Sequence, residues 1–316
     1  MKIVKMGVVG VGNMGSYHCQ KLKGLNSVDF IGVFDPDFEK ASTMANKINV
    51  KAFETYHALL QNVDAVIIAA PTKFHFILAE EAIKQNKHVL VEKPIAVSLE
   101  ETSKLKDTLK GKEIILQVGH IERYNPVVPQ LRELVTDIIF IEAKRIGYSG
   151  RIKDVDVVLD VMIHDIDIVL SLAQSPISDI SAAGVCLKEK GHYDYVNALL
   201  TFENGVVASL VASDISQEKA RTLIITEKER MIKTNFVTRQ QLILKNKPDE
   251  PRKYPTDFII EKIAIPNTDP LLNELEHFVA CIQQNKRPEV SLGEGEAALD
   301  VALKIKAYLL KQNKIN

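Results

Sequence analysis

Apolar positions in the first 120 residues fall into two alternating rhythms. Short apolar runs at 2–9, 28–34, 63–70, 88–92 and 113–119 have strand length, and 50–53 adds a shorter one. Between them, 13–23, 39–46, 55–61, 73–85 and 98–110 carry apolar residues at helical spacing. The last of these opens on Ser98 with Glu101 three residues later, a capping box. The run at 63–70 is apolar with hardly a break, as in a strand covered on both faces of a parallel sheet. Strands alternating with helices predict an α/β fold built on a doubly wound parallel sheet.

Beyond residue 120 the rhythm changes. Two helical stretches, 125–134 and 161–172, lie among strand-like runs at 138–147, 180–187, 193–203, 206–215, 221–226, 231–236, 240–245 and 258–265. Glu203-Asn204-Gly205 reads as an Asn-Gly hairpin turn. Hairpin connections predict a large open antiparallel sheet, so this part is α+β. Helical patterns at 271–284 and 293–311 close the chain. The expected division is 1–120 and 121–316, with the last helix in the second domain or packed back on the first.

The turn after the first strand gives the first domain its chemistry. Gly10-Val11-Gly12-Asn13-Met14-Gly15 fits the G-x-G-x-x-G pattern between a strand and a helix. Gly10 allows the tight turn, Gly12 lets the backbone approach a pyrophosphate, and Gly15 lets the helix pack close to the sheet. The helix start, with Asn13 and Met14, offers N–H groups and a positive dipole end to phosphate. Asp35 ends the second strand 20 residues past Gly15, placed to accept from adenosine ribose hydroxyls. The pattern predicts a dinucleotide cofactor, and NAD rather than NADP. A 2′-phosphate would meet the Asp35 carboxylate, and no cation follows until Lys40.

Composition narrows the setting. The chain has 316 residues, 46% hydrophobic and 26% charged, with a formal net charge of −1. That balance suits a soluble globular protein and supplies no field for nucleic acid or an anionic membrane. No apolar run approaches a membrane span, and a strand beginning at residue 2 leaves no room for a signal peptide. Cys19, Cys186 and Cys281 are odd in number and far apart, which predicts neither a disulfide framework nor a metal site. A reducing cytoplasm fits best.

Three clusters could carry further chemistry. Glu92-Lys93-Pro94 follows a parallel strand, at the end where open α/β sheets bind ligands. Pro94 restricts the backbone of Lys93, and a lysine so held can accept or return a hydroxyl proton. A surface lysine after a strand is the plainer reading. In a helix, Asp160 and His164 share a face at i and i+4, and a carboxylate beside an imidazole fixes its tautomer and supports its charged form. Asp160 as a helix cap is one alternative. A metal site with Asp165 is another, though no fourth ligand is visible and no metal is expected. His120, Arg123, Tyr124 and Asn125 lie at the domain junction, where they could line a substrate pocket. Arg151 is placed with them as substrate-binding. A hinge of solvated polar residues is the plainer reading there. Ala70-Pro71-Thr72 ends another parallel strand and should lie against the cofactor, with His75 close by.

Taken together, Gly10–Gly15, Ala70-Pro71-Thr72 with His75, Glu92-Lys93-Pro94, and Asp160 with His164 resemble the glucose–fructose oxidoreductase/inositol dehydrogenase/rhizopine-catabolism (Gfo/Idh/MocA) family. The resemblance spans nearly the whole chain. It implies NAD(P)-dependent dehydrogenation or reduction of a sugar or cyclitol carbon, with Lys93, Asp160 and His164 as the catalytic trio. Glu92 and Lys93 then belong to the cofactor surface as well. It also implies a homodimer or homotetramer through the C-terminal sheet. Many members carry paired glycines before the catalytic Asp, where this chain has Val155-Asp156-Val157-Val158-Leu159. Within the family, 118–126 and 154–167 resemble UDP-N-acetylglucosamine 3-dehydrogenases, so a nucleotide-sugar substrate is expected. A free cyclitol or monosaccharide dehydrogenase, a non-catalytic NAD-binding regulator and a bilin-type reductase are the rivals.

Overall fold

The computed structural model describes residues 3–148, 155–187, 191–246 and 258–312. The chain divides into two compact units, each with its own sheet.

The first unit holds Met1–Ile121 and Asp269–Leu299. Its strands are β1 (Val4–Val9), β2 (Val28–Phe34), β3 (Lys51–Phe53), β4 (Ala65–Ile68), β5 (His88–Glu92) and β6 (Leu116–Gly119). They pair in parallel in the order β3-β2-β1-β4-β5-β6. The order reverses between β1 and β4, and ligands of such sheets bind at that point, outside the carboxyl ends of the strands. Helices α1 (Asn13–Leu22), α2 (Phe38–Ile48), α3 (Tyr56–Leu60), α4 (His75–Lys84) and α5 (Leu99–Leu109) connect the strands. Met6, Val8, Ile67 and Leu90 are sealed from solvent, as the apolar strands predict. The Ser98 hydroxyl accepts from the Glu101 amide, while the Glu101 carboxylate reaches the Val97 amide, one residue earlier than in a standard capping box.

Asp269–Leu299 corrects the division expected at 120. The Asp269 carboxylate accepts from the amides of Leu271 and Leu272 and starts α8 (Pro270–Gln284), with Pro270 in its first turn. Leu275, Phe278 and Val279 of α8 join the core that holds Met6, Cys19 and Leu22. Each such buried side chain contributes about 1.5–3 kcal/mol, enough to commit the helix to the first unit. In α9 (Leu292–Gln312) the chain passes from the first unit to the second.

The second unit holds Glu122–Thr268 and Asp300–Asn316. After α6 (Val127–Leu134), its strands are β7 (Ile138–Tyr148), β8 (Ile177–Val185), β9 (Tyr195–Phe202), β10 (Val207–Ser213), β11 (Ile215–Glu227), β12 (Arg230–Asn235), β13 (Gln240–Lys245) and β14 (Ile259–Ile263). They form an eight-stranded sheet in the order β14-β13-β12-β11-β7-β10-β9-β8. Every neighbouring pair is antiparallel except β7 and β10, so the sheet is mixed rather than purely antiparallel. A parallel pair needs a crossover, and α7 (Ile163–Ala173) lies on the route between these strands. On β9, buried Val196, Ala198, Leu200 and Phe202 alternate with exposed Tyr195, Asn197 and Leu199, which leaves one face open. Gly205 turns the β9–β10 hairpin at φ +86°, as the Asn-Gly signal predicts. Among the described residues, no helix is long and apolar enough to cross a membrane.

Candidate active site

The glycine loop has the form of a phosphate cradle. Gly10 sits at φ +84°, and a Cβ there would stand 2.8 Å from the Ala69 carbonyl oxygen. A Cβ on Gly15 would stand 1.8 Å from the Gly10 carbonyl oxygen. Around Gly12, by contrast, a Cβ meets nothing within 4 Å. Two glycines are thus required by the protein's own packing, and the middle one faces open space. Gly12 also caps α1 with no side-chain hydrogen bond, as expected where helix amides serve a ligand.

Asp35 is fixed by the same loop. Its Oδ2 accepts from the Val11 amide at 2.9 Å and its Oδ1 from the Asp37 amide at 3.0 Å. A carboxylate has about four acceptor positions, so positions remain for ribose hydroxyls. Lys40, the first cation after Asp35, is engaged by Asp37 at 3.0 Å. The open cradle and the anchored carboxylate fit a dinucleotide, whose pyrophosphate Gly10–Gly15 would hold and whose ribose Asp35 would meet.

The Glu92-Lys93-Pro94 turn leaves β5. From Val89 to Ala96 every residue is buried except Lys93, which is half-buried. Glu92 is not on a ligand surface: its Oε1 accepts from His18 Nε2 of α1 at 2.7 Å, and both side chains are inside the protein. Burial pushes the Glu92 carboxyl up, but His18, with Lys93 and His75 nearby, more than offsets this and holds it below the usual carboxylate range. His75 is also enclosed. Its Nδ1 lies 2.7 Å from the Pro94 carbonyl oxygen and its Nε2 2.8 Å from that of Ala70. It joins the two loops instead of presenting its ring to a ligand. Ala70 and Pro71 lead into a 3₁₀ turn, Thr72–Phe74, with Thr72 buried.

Sequence reasoning missed His18 and Glu274. Glu274 of α8 is sealed from solvent, and a carboxylate oxygen of it, one of Glu92 and a ring nitrogen of His18 lie within 4.8 Å of one another. Burial, and then the charge of Glu92, pushes its carboxyl well above the ordinary range. The signal was a carboxylate in the apolar stripe Leu271, Glu274, Leu275, Phe278.

In the second unit, Asp160 lies in a π-helical turn, Val158–Met162, that runs directly into α7. Such turns recur at functional sites. Asp156 starts it: its Oδ1 accepts from the Leu159 amide, its carbonyl accepts from the Asp160 amide, and Lys306 pairs with its carboxylate at 2.9 Å. Between Val157 and Val169 only Asp160, Val161 and His164 are half-exposed, and everything else is buried. The two candidate residues therefore emerge together from a sealed element.

The junction cluster does not form the expected polar lining. Arg123 is 4% exposed and is gripped by Asp167 through Nε at 2.7 Å and Nη2 at 2.9 Å. Asn125 Nδ2 donates to Glu122, whose other oxygen accepts from Arg145 at 2.7 Å. His120 and Tyr124 are buried. Arg123 and Asn125 are satisfied internally, because a guanidinium held out of water needs a carboxylate close by. Arg151 lies outside the described residues.

Known proteins resemble this chain over most of its length. Residues 4–120 match the oxidoreductase family with an NAD-binding Rossmann fold, and residues 149–232 match the GFO/IDH/MocA C-terminal domain. The UDP-N-acetylglucosamine 3-dehydrogenase of Acidithiobacillus ferrooxidans is 33% identical over 97% of this chain and 98% of its own. The myo-inositol 2-dehydrogenase of Thermotoga maritima is 24% identical over 99% of this chain and 98% of its own. A solved structure of UDP-N-acetylglucosamine 3-dehydrogenase from Acidithiobacillus ferrooxidans superposes with a TM-score of 0.90 at 31% identity, covering 98% of both chains.

Proposed function

The chain belongs to the Gfo/Idh/MocA oxidoreductase family, and from that premise we propose that it oxidises a secondary hydroxyl of a sugar, with the 3-hydroxyl of UDP-N-acetylglucosamine as first candidate. When bound, the nicotinamide of NAD supplies the acceptor for the hydride of the alcohol carbon. Lys93 and His164 share the acid–base work on the hydroxyl proton, and Asp160 orients His164 and supports its charged form. The observation that carries this reading is their exposure: each is a half-exposed titratable side chain in an otherwise buried stretch. Asp35 favours NAD over NADP by repelling a 2′-phosphate.

Likeness to the UDP-N-acetylglucosamine enzyme over the whole chain supports the nucleotide sugar. A free cyclitol is the second reading, and the burial of Arg123 against Asp167 favours it, because that cation is withdrawn from any diphosphate. The open face of the eight-stranded sheet, with Tyr195 and Leu199 exposed, suits pairing with a second copy. Three free thiols suit a reducing compartment such as the cytoplasm.

The test is NADH formation with UDP-N-acetylglucosamine, its uronic acid form, myo-inositol and glucose, using wild type, Lys93→Ala and His164→Ala. The expected result is turnover of the UDP-sugar, reduced on the order of 10²–10⁴-fold in each variant. Turnover of myo-inositol alone would select the cyclitol reading. Full activity in either variant would remove that residue from the chemistry.

A further inference from the structure

Lys93 is flanked by two residues that are each tied to a different buried histidine. On one side, the Glu92 carboxylate meets His18 Nε2 of α1 at 2.7 Å. The same carboxylate crowds β6, where a Cβ on Gly119 would stand 3.0 Å from Glu92 Oε2. On the other side, the Pro94 carbonyl meets His75 Nδ1 at 2.7 Å, and the opposite ring nitrogen meets the Ala70 carbonyl at 2.8 Å. Both histidines are at most 1% exposed, so neither competes with water for these bonds. Neither of these contacts is made by Lys93 itself: one is held by the Glu92 side chain and the other by the Pro94 carbonyl.

We propose that His18 and His75 are positioning residues for Lys93, the first holding the Glu92 side chain and the second joining the loop after β5 to the loop after β4. The proposal rests on the proton role given to Lys93 above. A lysine that must meet a hydroxyl cannot tolerate a loose backbone, since a displacement of about 1 Å can cost on the order of 10²-fold in rate. Fixing both neighbours confines the side chain without burying its charge.

The test uses the full chain with His18→Leu and His75→Leu, and His18→Gln and His75→Gln as conservative rescues. Acetylation of Lys93 by limiting acetic anhydride is followed by peptide mass, relative to exposed Lys47. NAD affinity, the unfolding midpoint and, for whichever sugar is turned over, kcat and KM are measured alongside. The expected result is a shift of about fivefold or more in the Lys93 to Lys47 labelling ratio in each leucine variant, recovered in the glutamine variants. Where there is turnover, kcat falls by about 10–100-fold with little change in KM, and adding the change to Lys93→Ala costs nothing further. If the leucine variants do not fold, His18→Asn and His75→Asn, with shorter amides, carry the same measurement. An unchanged labelling ratio in folded variants would overturn the clamp. So would one equivalent of zinc bound to the wild type and lost in His18→Leu, which would make His18 a ligand with Glu92 and Glu274. Full turnover in Lys93→Ala would instead remove the proton role and leave the labelling result standing.

Discussion

Asp167 holds Arg123 through two parallel contacts, Nε to Oδ2 at 2.7 Å and Nη2 to Oδ1 at 2.9 Å, with both side chains out of solvent. A second guanidinium, Arg145, is shared between Asp165 and Glu122 and stacks over the Phe236 ring. Asp165 and Asp167 both sit on α7, so these pairs anchor the helix that follows the Asp160 turn. Removing one member of such a pair leaves an uncompensated buried charge and costs about 3–5 kcal/mol. Arg123→Ala should therefore lower unfolding free energy by roughly that amount in urea titration, with little change in KM for the sugar. A variant of unchanged stability whose KM rises steeply would return Arg123 to the substrate site.

The cradle makes two alanine substitutions diverge. In Gly15→Ala the new methyl overlaps the Gly10 carbonyl, so the loop and α1 must shift and stability falls. In Gly12→Ala the methyl enters space that no protein atom fills. Thermal unfolding of Gly12→Ala without ligand should match wild type, while its NAD dissociation constant rises on the order of tenfold or more, because the pyrophosphate needs that close backbone approach. Calorimetric titration with NAD checks it. Wild-type affinity in Gly12→Ala would mean that the dinucleotide does not run over this glycine.

Much of the first unit could be read from the chain because its strands are apolar on both faces and its glycines carry steric meaning. The place of Asp35 just past β2, tied to the glycine loop through the Val11 amide, was legible as an acid at a strand end. Arg123 was not, because a single sequence does not say which carboxylate a cation will find, and Asp167 is 44 residues away. The parallel pairing of β7 with β10 was hidden likewise, since alternation of apolar residues sets faces and not partners. Helix α8 looked like part of the second domain because nothing local shows that Leu275 and Phe278 pack beside Met6. The π turn at Asp160 was read as ordinary helix, because one widened turn leaves no periodic trace.

Glu274 should couple stability to pH. Its folded carboxyl titrates well above an ordinary glutamate, first through burial and then through the charge of Glu92. A group raised on folding gives stability that is complete below its unfolded value near 4.3 and is lost as pH rises through the folded value. The slope is at most about 1.4 kcal/mol per pH unit within that window. Glu274→Gln keeps the shape of the protonated acid and cannot ionise. Urea unfolding at pH 5 should show little difference from wild type, and at pH 8 the variant should be the more stable. Equal destabilisation at both values would mean that Glu274 is held as a carboxylate.

Asp160 and His164 should behave as one device. Both are partly exposed in an otherwise buried stretch, and the turn carrying Asp160 is braced by Asp156, which Lys306 pairs with. If Asp160 works through the imidazole, its loss matters only while His164 is present. His164→Ala should then cost on the order of 10²–10⁴-fold in kcat, Asp160→Asn less, and the double variant no more than His164→Ala alone. The pH profile gives a separate reading. A neighbouring carboxylate favours the charged imidazolium, so removing its charge lets the ring lose its proton more readily. In Asp160→Asn the acidic limb of kcat should therefore move to lower pH. A limb that stays in place, with additive losses in the double variant, would leave Asp160 with only a part in building the turn.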